Sequence, residues 1–257
     1  MRKFRNFILT VGTLVAMGYA GGNFIGNVRV ADGLVVPSPV PVPVTEVPET
    51  PSPFQPDPFY ENIRLVENPS DLLVLVNKSR QLSWDFQPAD LRPINVLGNY
   101  NQPAYDLWMR EDAATALEEM FQAAADEAGL LLWARSTYRS YFTQESIYHG
   151  MVLDKGVEEA DRWSARPGHS EHQTGLALDI SSASIGGALE QRFGDVPEGI
   201  WLRENAHRFG FIIRYPYGRE AETGFAYEPW HVRFVGIDAA SDIFENKWIL
   251  EEYLHGI

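Results

Sequence analysis

The sequence predicts an α+β domain in which helices pack on a small antiparallel sheet. Three observations carry that expectation. One is a clean helical periodicity at residues 111–128, where Ala114, Leu117, Met120, Phe121, Ala124 and Ala128 recur on one face. Another is a pair of short alternating segments, 175–181 and 231–235, with the two-residue period of strands. The last is the lack of a regular strand–helix repeat, which argues against a parallel α/β sheet.

The elements follow in chain order. Arg2, Lys3 and Arg5 precede an apolar run from Phe7 to Tyr19, the form of an export signal, and residues 1–30 are expected to engage the export machinery or the membrane. Nine prolines lie between Pro37 and Pro58. Proline fixes φ and lacks the N–H, so residues 31–58 are expected to form an extended proline-rich linker. The folded domain is expected over 59–257. Its first apolar run is Leu72 to Val76, followed by Asn77-Lys78 and a turn-rich stretch from Leu82 to Leu91. Helix 111–128 has Asp112 as the expected N-cap and Gly129 as its stop. A strand is expected over 130–134, then helices over 141–153, with Ser140 as cap, and 157–163. In strand 175–181, Leu176, Leu178 and Ile180 share an apolar face and Gly175, Ala177, Asp179 and Ser181 a small, polar one. A helix over 201–209, stopped by Gly210, leads to a strand at 211–214. Pro229 excludes a helix interior, so Glu228 is expected in a loop and His231 at the start of the last strand.

Composition narrows the chemistry. The chain has 257 residues and a formal charge of -14, which disfavours nucleic acid as a partner. It has no cysteine, so neither a disulfide framework nor a thiolate metal site is open to it. Zinc without thiolates is typically held by two His and a carboxylate, with the fourth position left open. His172, Asp179 and His231 supply that set, and Glu228, three residues before His231, is a candidate base. Arg139, at a strand-to-helix junction, is a candidate oxyanion donor. Taken singly, each has a plain alternative: Asp179 as an edge carboxylate, Glu228 as a solvated loop residue, Arg139 as a surface ion pair. His169, three residues before His172, is the nearest competing ligand. No Ser-nucleophile elbow or Ser-x-x-Lys motif occurs.

The run Ser170-x-His172-x-x-Gly175-x-Ala177-x-Asp179, followed by Glu228-Pro229-Trp230-His231, resembles the zinc D-alanyl-D-alanine carboxypeptidases of the VanY type and the related L,D-carboxypeptidases. Leu75-Val76-Asn77-Lys78, Tyr138-Arg139-Ser140-Tyr141 with Gln144, Arg166-Pro167-Gly168 and Thr223-Gly224-Phe225-Ala226-Tyr227 extend the likeness from about residue 70 to about residue 240. The resemblance implies a Zn2+ held by His172, Asp179 and His231, with Glu228 and Arg139 catalytic. It also implies substrate contacts from Ser170, Gln144, Arg166 and Trp230. The implied reaction is removal of a terminal D-alanine from peptidoglycan stem peptides, outside the cytoplasm, by an anchored or secreted enzyme. A stem-peptide endopeptidase and a non-catalytic wall-binding domain are the alternatives on the same scaffold.

Overall fold

A computed structural model describes residues 57–102, 104 and 106–256 of the chain. The expected signal segment and nearly all of the proline-rich linker lie outside the described residues. The elements in chain order are β1 (Arg64–Leu65), β2 (Arg80–Gln81), β3 (Leu91–Pro93), β4 (Trp108–Arg110), α1 (Glu111–Ala128) and β5 (Leu132–Ser136). Then come α2 (Tyr141–Lys155), α3 (Val157–Trp163), β6 (Ala177–Ser182), α4 (Pro197–Asn205), β7 (Phe211–Tyr215), α5 (Glu220–Thr223), β8 (Glu228–Phe234), α6 (Ile237–Asn246) and α7 (Leu250–His255).

The central sheet is antiparallel, in the order β5-β6-β8-β7. Its apolar face is the one expected for β6: Leu176, Leu178 and Ile180 are fully buried in one core with Leu117, Met120 and Phe121 of α1. Burial of one such side chain contributes about 1.5–3 kcal/mol. The opposite face is graded. Cross-strand pairing of Asp179 with His231 and of Ala177 with Arg233 puts these four side chains on one side. Beyond Arg233 the same face becomes apolar again, with Ile212 and Val235 under Ile243 of α6 and Leu250 of α7. The α+β expectation is met, and the sheet's polar face carries Asp179, His231 and Arg233.

Several local expectations shift. Arg110, not Asp112, is the N-cap residue of α1, and no side-chain cap bond forms there; Asp112 lies in the first turn, where a negative charge suits the helix dipole. Ser140 caps α2 as expected, accepting from the Thr143 N–H at 3.2 Å. The strand expected at 130–134 starts at Leu132, because Leu130 and Leu131 complete the turn after Gly129 and Leu131 is exposed. The helix expected from Trp201 starts at Pro197, which takes the first-turn position that needs no N–H. Glu228 belongs to β8 rather than to a loop. Pro229 is tolerated there because the ladder is broken: from Val232 to Glu228 is four residues on β8, whereas the paired Ile213 and Tyr215 are two apart on β7. Two terminal helices, α6 and α7, had no counterpart in the sequence reading.

Candidate active site

Three separate elements deliver the candidate ligands. His172 lies in a single 3-10 turn, Glu171–Thr174, closed by Gly175 at φ 68°. A Cβ on Gly175 would lie 2.8 Å from Leu91 Cδ2, so a glycine is needed both for the left-handed turn and for the packing. This turn folds the chain back so that His172 meets Asp179 of β6. His231 arrives from β8, directly opposite Asp179. All three are buried.

The distances describe a cluster. His172 Nε2 is 3.4 Å from Asp179 Oδ2, and His231 Nδ1 is 3.1 Å from Asp179 Oδ1. One ligand atom from each of the three residues lies within 4.8 Å of the others. The imidazoles meet edge to face, with ring centres 4.9 Å apart. His172 Nδ1 is 2.7 Å from the Thr137 carbonyl oxygen. A carbonyl only accepts, so Nδ1 carries the proton and Nε2 keeps a lone pair. Nε2 is buried without a hydrogen-bond partner. A buried, unpartnered lone pair aimed at a carboxylate is costly unless a cation lies between them. The donor set of two imidazoles and one carboxylate therefore fits zinc.

Glu228 stands beside this cluster. The irregularity at Pro229 brings its Oε2 to 3.8 Å from His231 Nδ1. Burial pushes its pKa up to about 8. Burial and the neighbouring Arg139 push His172 down to about 4. Burial would also lower His231, but the Asp179 and Glu171 carboxylates beside its ring raise it to about 9. Burial works against the Asp179 carboxylate, but His172 and His231 hold it well below the usual range. A divalent cation competes directly for the His231 site that otherwise favours a proton.

The cluster sits in a cavity of about 530 Å³. Arg139, Gln144, Ser170 and Trp230 all line it, with Glu228 and the three candidate ligands. Arg139 Nη2 lies 4.0 Å from Asp179 Oδ2, and its Nε is buried without a partner. Gln144 donates to the Ser164 hydroxyl at 3.1 Å and the Ala165 carbonyl at 2.7 Å, leaving its buried Oε1 unpartnered. Trp230 stacks on Trp163, 6.5 Å away and 18° from parallel.

Arg166 is not among the residues lining this cavity. It forms a two-bond ion pair with Asp161, at 2.9 and 2.7 Å, and its guanidinium lies 3.9 Å over the Tyr60 ring. His169, the competing ligand, bonds instead to the Asn77 carbonyl through Nδ1 at 2.9 Å. Glu171, Arg214, Arg233 and Tyr215 also gather here, unexpected from the sequence. Glu171 Oε1 accepts from Arg214 Nε at 2.9 Å and Arg233 Nη1 at 2.7 Å, with all three side chains fully buried. Tyr215 packs its ring 5.0 Å from His231. A signal was present: Arg214 interrupts the apolar strand Phe211–Tyr215 and Arg233 lies between Val232 and Phe234, and a buried arginine demands a counter-charge.

Several known proteins are similar to this chain in sequence and fold. The family model for VanY, D-alanyl-D-alanine carboxypeptidase, matches residues 106–237. The putative carboxypeptidase YodJ of Bacillus subtilis (strain 168) is 43% identical over 197 residues, covering 77% of this chain and 72% of that protein. The structure of the LdcB LD-carboxypeptidase, whose subject is peptidoglycan recognition, superposes with a TM-score of 0.70 at 44% identity. The match covers 76% of this chain and 91% of that one. A VanY D,D-pentapeptidase from a VanB-type resistance cassette, solved with Zn(II), has a TM-score of 0.59 at 32% identity over 71% of this chain and 98% of its own.

Proposed function

Since the chain belongs to the VanY D-alanyl-D-alanine carboxypeptidase family, we propose that the cluster on β6 and β8 is the centre at which it removes a terminal D-alanine from peptidoglycan stem peptides. The observation that carries the proposal is the convergence of His172, Asp179 and His231 to within 4.8 Å on the wall of a cavity that also holds Glu228. The enzyme is a zinc-dependent peptidase. His172 through Nε2, Asp179 through its carboxylate and His231 through Nδ1 would hold the ion. When bound, zinc supplies Lewis-acid polarisation and makes water more acidic.

The remaining chemistry belongs to the chain. Glu228 accepts the proton of the attacking water and returns it to the leaving amine as the peptide bond breaks. Its burial suits this, since a desolvated carboxylate is the stronger base. Arg139 donates to the scissile carbonyl oxygen as negative charge develops there. Ser170, the free Oε1 of Gln144 and the face of Trp230 orient the peptide. Arg166 acts indirectly: its pairing with Asp161 and its stacking on Tyr60 brace the segment from Asp161 to the Ser170–His172 turn.

The domain acts outside the cytoplasm, on the wall. No helix among the described residues is long and apolar enough to cross a membrane. Residues 1–30 would serve as signal or anchor, residues 31–58 as spacer, and 59–257 as the catalytic domain. The test is incubation with pentapeptide and tetrapeptide stems, with and without a chelator, read by mass spectrometry. Loss of a single alanine, abolished by chelation, is the expected result. Release from only the pentapeptide assigns D,D specificity, and from only the tetrapeptide L,D specificity. Cleavage inside the stem, or turnover unaffected by a chelator that strips all metal, overturns the assignment.

A further inference from the structure

The two candidate imidazole ligands are aimed by different means. His172 is set by the main chain, since its Nδ1–H donates to the Thr137 carbonyl at 2.7 Å. His231 is turned the other way: Nδ1 faces Asp179 at 3.1 Å, and Nε2 points back to within 3.5 Å of Glu171 Oε2. Both Nε2 of His231 and Oε2 of Glu171 are buried, and neither has a hydrogen-bond partner. A carboxylate only accepts, and a neutral imidazole has a single N–H. With an ion in place of the proton that Nδ1 would otherwise donate to Asp179 at 3.1 Å, the single N–H falls on Nε2, on the side that faces Oε2.

We infer that Glu171 is the positioning residue of the metal centre, its Oε2 accepting the Nε2–H of His231 and so presenting Nδ1 to the ion. The inference rests on the reading of His231 as a ligand. The far side of the carboxylate is already secured. Oε1 takes both Arg214 Nε and Arg233 Nη1, while Arg233 Nη2 donates to the carbonyls of Leu72 and Val74, at 3.0 and 2.8 Å. Arg214 is held in turn by Glu251 at 2.9 and 2.6 Å. The carboxylate thus has one oxygen anchored to the fold and one turned toward the ligand. Outer partners of this kind orient metal-bound histidines and make them better donors. His172 needs no such side chain because a backbone carbonyl does the same work.

The test compares zinc affinity, by competition with a chromophoric chelator, among the wild type, Glu171→Gln and Glu251→Gln. Glu251→Gln removes a carboxylate from the same Arg214 but does not touch His231. The expected result is zinc binding weakened about 10–100-fold in Glu171→Gln, with a changed visible spectrum for the cobalt-substituted form, and near-wild-type affinity in Glu251→Gln. Equal affinity and an unchanged cobalt spectrum in Glu171→Gln overturn the inference. So does an equal loss in Glu251→Gln, which would make the effect one of general stability. Should Glu171→Gln not fold, nitrogen-15 NMR of the histidine rings in zinc-loaded wild type decides. A slowly exchanging Nε2–H on His231 supports the inference, and coordination through Nε2 overturns it. A wild type that binds no zinc fails at the earlier step, the metal centre itself.

Discussion

Two buried charge clusters share one face of the central sheet, and they are built on opposite terms. In the first, Glu171, Arg214, Arg233 and Glu251 carry two negative and two positive charges, and both arginines are paired to carboxylates at 2.6–2.9 Å. The second is unbalanced in its pairing: Arg139 Nη2 stays 4.0 Å from Asp179 Oδ2, Glu228 Oε2 stays 3.8 Å from His231 Nδ1, and His172 Nε2 is left without a hydrogen-bond partner. The balanced cluster ties the sheet to α7 and to the segment at Leu72–Val74. The unbalanced one lines the cavity. The difference separates support from candidate function: charges closed into short ion pairs tie elements of the fold together, and the loosely paired ones line the cavity beside a candidate metal site. Glu171 and His231, 3.5 Å apart, are where the two clusters meet.

Substitutions can break or sharpen this contrast. The largest effect is expected at Glu228→Gln, which should lower kcat by about 10²–10⁴-fold while metal content, read by plasma mass spectrometry, stays at one per chain. A variant that turns over normally removes Glu228 from the base role. Next comes the balanced cluster. Arg214→Met leaves Glu171 and Glu251 without their shared partner and should cost about 3–5 kcal/mol of stability in denaturant unfolding. If the loss is negligible, the cluster is not a structural tie. In the cavity, Arg139→Met should reduce kcat by about 10²–10³-fold with little change in unfolding. A change confined to KM would make Arg139 a binding group rather than an oxyanion donor. The smallest effect, about 1 kcal/mol, is expected for Ser140→Ala, which removes the α2 cap just after Arg139. Thermal melts should register it while zinc affinity holds.

Much of the site was legible because its chemistry is tied to residue type and spacing. A chain without cysteine has few ways to hold zinc, and the alternation of β6 showed which face Asp179 occupies. Glu228 was expected as the base and in a loop, and the structure places it in β8. Pro229 suggested a loop, whereas a ladder irregularity lets the strand absorb the proline. Arg139 was expected as an oxyanion donor and Arg166 as a substrate contact. Asp161, five residues before Arg166, and the ring of Tyr60 claim one, and burial beside Asp179 claims the other.

The candidate donor set, the candidate base and the helix and strand periods could be read from the chain alone, since they follow from side-chain chemistry and local backbone geometry. Packing alone set where each imidazole nitrogen points, the 3.5 Å approach of Glu171 to His231, and the capture of Arg166 by Asp161 and Tyr60. Those facts depend on pairings between residues tens of positions apart, such as His172 with Thr137 and Arg233 with Glu171. Register and packing set such pairings, and a one-dimensional pattern carries no record of them.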